Sequence, residues 1–84
     1  MTSGWHEGTI GTPIGSKDNR VAHYWVKSYD KGSEFGIGGG KISKLMIKIN
    51  GETVVNYDRG WDIEPNLDDK LVFYAYSLLF NQYN

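Results

Sequence analysis

The residues with chemical potential fall in two glycine-bearing segments. Gly36-Ile-Gly-Gly-Gly-Lys41 is followed by Ile42, Ser43 and Lys44. Successive glycine amides can curl into a nest that holds an anion. Lys41 and Lys44 would add charge there, and Ser43 a hydrogen bond. A nucleotide-hydrolysing phosphate loop fits poorly. Such a loop ends in Gly-Lys-Ser/Thr and enters a helix whose amides cradle phosphate. Here Lys41 is followed by Ile42 and a strand-like run. The competing structural reading of Gly38–Gly40 is a bulge or sharp sheet bend beside solvated lysines.

The second segment is Tyr57-Asp-Arg-Gly-Trp61-Asp62. A guanidinium can fork onto a carboxylate or phosphate, and an indole can stack. Tyr57, Arg59 and Trp61 are also the side-chain types that dominate protein-binding hot spots. The competing reading is an internal pair between Arg59 and an aspartate beneath a packed tryptophan. His6 and His23 are the only histidines and lie in no metal-ligand spacing. Asp58, Asp62 and Glu64 lack the alternating pattern of a calcium loop. No serine or threonine sits in a nucleophile motif. No catalytic residue, metal site or cofactor is therefore expected, and the chain reads as a binding protein rather than an enzyme.

Bulk properties narrow the choice. Eighty-four residues make one domain, spanning 1–84, with a core too small to be generously stable. Without cysteine there is no disulfide or thiolate staple. Three tryptophans, six tyrosines and three phenylalanines can compensate, as can oligomerisation. Nine basic and ten acidic residues give a net charge of -1, which argues against an extensive duplex nucleic-acid surface. The charge is uneven: residues 1–57 hold seven basic and five acidic groups, whereas 58–84 hold two and five. No apolar run approaches a membrane span, and MTSGWHEGT lacks the features of a signal peptide. A cytoplasmic protein is expected.

The elements that would position these groups are readable in outline. Trp5–Ile10 suits a short edge strand, and 15–20 a turn or loop. VAHYWVKSY, residues 21–29, reads as a strand with Val21, His23, Trp25, Lys27 and Tyr29 on one face. Phe35 and Ile37 suggest a short returning strand. ISKLMIKI, residues 42–49, alternates, with Leu45, Ile47 and Ile49 inward and Lys44, Met46 and Lys48 outward. Asn50-Gly51 then predicts a type I′ hairpin turn. Residues 67–82 predict a helix, with Pro65 at its start and Asn66 as cap. Leu67, Leu71, Tyr74, Ala75, Leu78 and Leu79 form one face, and Phe73, Tyr76 and Phe80 the other. The fold expected is α+β: a mostly antiparallel sheet of three to five strands with one C-terminal helix on a face. Its core should hold Leu45, Ile47, Ile49, Val55, Leu71, Ala75 and Leu78. The second apolar side of the helix suggests a homodimer, or else cover from the amino-terminal segment.

Gly36-Ile37, Gly40-Lys-Ile-Ser-Lys-Leu45 and Asn56-Tyr-Asp-Arg-Gly-Trp-Asp62, taken jointly, resemble a group of small uncharacterised proteins of bacterial phages and mobile elements. The resemblance spans Trp5 to the final helix and supplies no catalytic residues. It implies a context in which such proteins inhibit host defence by binding a protein, a nucleic-acid-binding surface or a signalling nucleotide. The expected function is a non-enzymatic protein-interaction module, possible inhibition of a defence effector included. The alternative is capture of a small anionic ligand such as a signalling nucleotide. The expected contact residues are Lys41, Ser43, Lys44, Tyr57, Arg59 and Trp61.

Overall fold

β-branched and aromatic residues in alternating runs, punctuated by glycine turns, produce a five-stranded antiparallel meander. The computed structural model describes residues 4–12 and 19–84. Its strands are β1 (Gly4–Gly11), β2 (Val21–Ser28), β3 (Ile42–Ile49), β4 (Glu52–Asp58) and β5 (Trp61–Ile63), adjacent in chain order. One helix, α1 (Lys70–Tyr83), packs across the sheet. This is the α+β architecture expected. The turn or loop expected at 15–20 lies largely outside the described residues; Asn19 and Arg20 lead into β2 without regular structure.

Register divides the side chains between two faces. Ala22 pairs with Ile49, Tyr24 with Ile47 and Val26 with Leu45. Leu45 in turn pairs with Tyr57, and Ile47 with Val55. This set points at α1, and Ala22, Val26, Leu45, Ile47, Ile49, Val55 and Tyr57 are all buried. Leu71, Val72, Ala75 and Leu79 meet them from the helix. The β3–β4 turn has Asn50 at φ 53° and Gly51 at φ 79°, the double positive φ a type I′ turn requires.

Expectations for the helix need correction. The helix begins at Lys70, not 67, and Asp69 is its cap. Asp69 Oδ1 accepts from the amides of Leu71 (3.0 Å) and Val72 (3.4 Å). Asn66 instead closes a local turn, its Oδ1 accepting from the Asp68 amide at 3.1 Å. Leu67 therefore lies ahead of the helix, 56% exposed. The buried stripe is also rotated toward Val72, which leaves Leu78 41% exposed and outside the core.

The returning strand at Phe35 and Ile37 does not form. Residues Ile37–Gly39 make a 3-10 turn, with Gly38 at φ 58° and Gly39 at φ 78°. Positive φ at two successive residues suits glycine and ends any strand. The turn packs tightly. A Cβ on Gly36 would collide with the Gly40 carbonyl, and one on Gly40 with the Asn84 side chain. Asn84 pins the turn by donating from Nδ2 to the Ile37 carbonyl (3.1 Å) and accepting from the Ile42 amide at Oδ1 (2.9 Å).

Candidate functional site

The helix covers one face of the sheet. Among the described residues no element covers the other. Strand alternation places Trp5 (β1), Trp25 and Lys27 (β2), Lys44, Met46 and Lys48 (β3), and Asn56 and Asp58 (β4) on that open face. Trp5 pairs with Lys27 and Glu7 with Trp25, so the two indoles are diagonal neighbours on adjacent strands. Trp5 is 57% exposed. Trp25 and Met46 are half-buried and pair directly across β2 and β3. Trp5, Trp25, Lys44, Met46, Asn56 and Asp58 line a shallow hollow of about 450 Å³, together with Leu45 and Tyr57, which are themselves buried.

Cations rest on these rings. Lys27 Nζ lies 5.8 Å from the Trp5 ring centre and 5.6 Å from that of Tyr29. Lys48 Nζ lies 5.9 Å from Trp25. His23 stacks on Trp25 at 4.1 Å and meets Glu7 Oε2 at 2.8 Å through Nε2.

At one end of this face is a second hollow of about 330 Å³, lined by Lys27, Tyr29, Ser33, Phe35, Ser43, Lys44 and Arg59. Lys44 borders both hollows. Arg59 reaches this place through the tight β4–β5 turn. Its φ is 57°, and its amide donates to the Ser43 carbonyl at 3.0 Å. Asp58 is the local counter-charge, 3.8 Å from Lys44 Nζ and 3.9 Å from Arg59 Nε. The Tyr29 hydroxyl is held below the ordinary phenol range, first by its hydrogen bond with Lys27 and further by Lys44 nearby.

The fold thus unites Ser43, Lys44 and Arg59 and separates the rest of the expected set. Lys41 borders a different hollow, with His6, Ser28, Tyr29, Asp30, Gln82 and Tyr83. The glycine amides do not form a free anion nest: Gly36, Gly39 and Gly40 donate to the carbonyls of Ser33, Gly36 and Ile37. Tyr57 is buried on the helix side and donates its hydroxyl to the Phe35 carbonyl at 2.8 Å. Trp61 packs edge-on against Tyr57 (4.8 Å) and near Tyr76 (6.0 Å). Burial raises the Tyr76 hydroxyl above its ordinary range.

Sequence reasoning missed Trp5, Trp25, Lys27 and Lys48 as a group. The signal was present in part, since Trp25 and Lys27 alternate together and Lys44, Met46 and Lys48 point outward. Among the described residues no cluster of three or more histidines or carboxylates is disposed to hold a metal. No helix there is long and apolar enough to cross a membrane.

Comparison with known families places the chain. Residues 4–84 match the model of a domain of unknown function, DUF7678, and the chain belongs to that family. No curated protein and no solved structure matches it.

Proposed function

We propose that the domain is a non-catalytic binding module whose contact surface is the open face of its sheet. The observation that carries this reading is the diagonal pair of exposed Trp5 and half-buried Trp25 beside Met46, on a face that no other element covers among the described residues. Indoles contribute large contact areas with a polar handle, and they concentrate binding energy where they occur. These sit on paired strands rather than loops, so little ordering is required when a partner docks. Ser43, Lys44 and Arg59 stay in the contact set at its margin. Tyr57 and Trp61 leave it, because they pack toward the helix. A protein target, such as a defence effector met in a bacterial cytoplasm, and an anionic ligand would both use such a surface.

The test is capture from cell lysate by the wild-type chain and by a Trp5→Ala/Trp25→Ala variant of equal folded content. Bound protein and bound nucleic acid are measured separately. Loss of capture in the variant is the expected result. Equal capture by both would remove the open face from function.

A second proposal concerns assembly. Phe73 and Phe80 are 52% and 38% exposed on the outer side of α1. A homodimer through that side is the arrangement we favour.

A further inference from the structure

Resting on the open-face reading, we propose that the occupant of this face is single-stranded nucleic acid, its bases stacking on Trp5 and against Trp25 and its phosphates held by Lys27, Lys44, Lys48 and Arg59. Three observations converge on this ligand. The first is the spacing of the rings. The indoles lie on adjacent strands, offset diagonally: Trp5 offers the stacking platform, and Trp25, one face of which His23 covers at 4.1 Å, flanks it as a second aromatic wall. Stacking of bases on sheet aromatics needs exposed ring faces, and Trp5 is 57% exposed.

The second is charge. The side chains lining the two hollows or resting on the indoles include the cations Lys27, Lys44, Lys48 and Arg59. Among the described residues, the carboxylates paired with groups of this face are Glu7, which meets His23, and Asp58, beside Lys44 and Arg59. Four cations against two carboxylates leave a local excess of two on a chain whose net charge is -1. Four of the nine basic residues set beside two tryptophans make this face complementary to an anionic, ring-bearing partner.

The third is continuity. The aromatic hollow and the basic hollow meet at Lys44, so a base in one and its phosphate in the other can be held together. The Ser33 hydroxyl and the Tyr29 phenol line the basic hollow, and neutral donors there suit phosphate oxygens, whereas the buried Ser43 hydroxyl donates to the Lys27 carbonyl at 3.4 Å. A duplex is a poorer fit. Its bases are already stacked, and groove reading requires an inserted helix or ribbon rather than an open sheet face.

The experiment is fluorescence anisotropy with the full chain and labelled oligo(dT) and oligo(U) of roughly 12 nucleotides, a length within the range of single-strand sites. Binding of at least one is expected, with tryptophan quenching, and comparison of the two arms separates DNA from RNA preference. Trp5→Ala should weaken it about 5- to 150-fold, and Trp5→Phe should restore most of the loss. Lys27→Ala/Lys44→Ala should reduce the salt slope by about 1.4, at roughly 0.7 per lost phosphate contact. Trp5 lies on an exposed edge position, and circular dichroism confirms that each variant is folded. Several results would overturn the proposal: no binding of either oligonucleotide at low salt, equal or tighter binding of a hairpin duplex, or mononucleotide competing as well as the strand. If oligonucleotides fail while lysate protein is still captured through Trp5 and Trp25, the face binds protein and only this inference falls. If both fail, the open-face reading falls with it.

Discussion

Asp69 shows how one carboxylate can fix two elements. It caps α1 and also receives Arg20 in a fork, Nη1 to Oδ2 at 3.0 Å and Nη2 to Oδ1 at 2.9 Å. The lead into β2 is thereby tied to the start of the helix. Its carboxyl is held below the ordinary carboxylate range, first by Arg20 and then by the amides of Val72 and Leu71, against the opposing effect of burial. A carboxylate with a lowered folded-state pKa stabilises fully above its unfolded value, and the contribution fades as pH falls through the folded value. Asp69→Ala should cost about 1–2 kcal/mol in urea unfolding at neutral pH. Asp69→Asn should keep most of the cap but lose the ion pair. Its deficit should shrink on acidification below about pH 4, where the unfolded carboxyl begins to protonate. A deficit that stays constant into acid would show that the pair with Arg20 contributes nothing. From sequence, Asn66 was the expected cap; Asp69 takes that place, held by a partner 49 residues away that local sequence does not show.

At the scale of elements, local signals were legible and long-range ones were not. The Asn50-Gly51 hairpin encodes its own turn, so β3 and β4 and their inward row could be read directly. The glycine turn could not, because its shape depends on Asn84, which reaches Ile37 and Ile42 from the far end of α1. The candidate site was half legible for the same reason. Alternation gave the outward side of β3 and put Trp25 and Lys27 on one face of β2 without deciding which face is open, and only β1 pairing brings Trp5 beside Lys27. The helix was legible in existence and not in phase. Its many aromatics blur the apolar stripe, and Val72 decides the rotation by entering the core at 1% exposure. That phase predicts opposite outcomes for two adjacent leucines. Leu79→Ala should cost about 2–5 kcal/mol by leaving a cavity. Leu78→Ala, at 41% exposure, should stay within about 0.5 kcal/mol. Denaturant midpoints compare the two directly, and the reverse order would mean the helix faces the sheet differently.

At the scale of the molecule, the two layers present different surfaces. The open sheet face gathers cations around indoles. The helix layer, with no carboxylate between Lys70 and Tyr83, carries an outer aromatic strip, where Trp61 lies 6.0 Å from Tyr76 and Tyr76 lies 5.9 Å from Phe80. Phe73 precedes Phe80 by two helical turns on the same side. Beside this strip Tyr76, Ser77, Phe80 and Asn81 line a hollow of about 320 Å³. A twofold pairing could seat a phenylalanine of each copy against the other's strip, because the same patch then serves both partners. Such pairing would supply the burial that a small, cysteine-free core lacks. It would also turn both open faces outward and make the assembly bivalent for a long strand. Sedimentation velocity of the full chain at rising micromolar concentration should show a dimer. Phe73→Glu/Phe80→Glu should shift it to monomer while leaving one oligonucleotide bound per chain. A wild-type chain that stays monomeric throughout would sink the pairing, and the exposed phenylalanines would then need another partner.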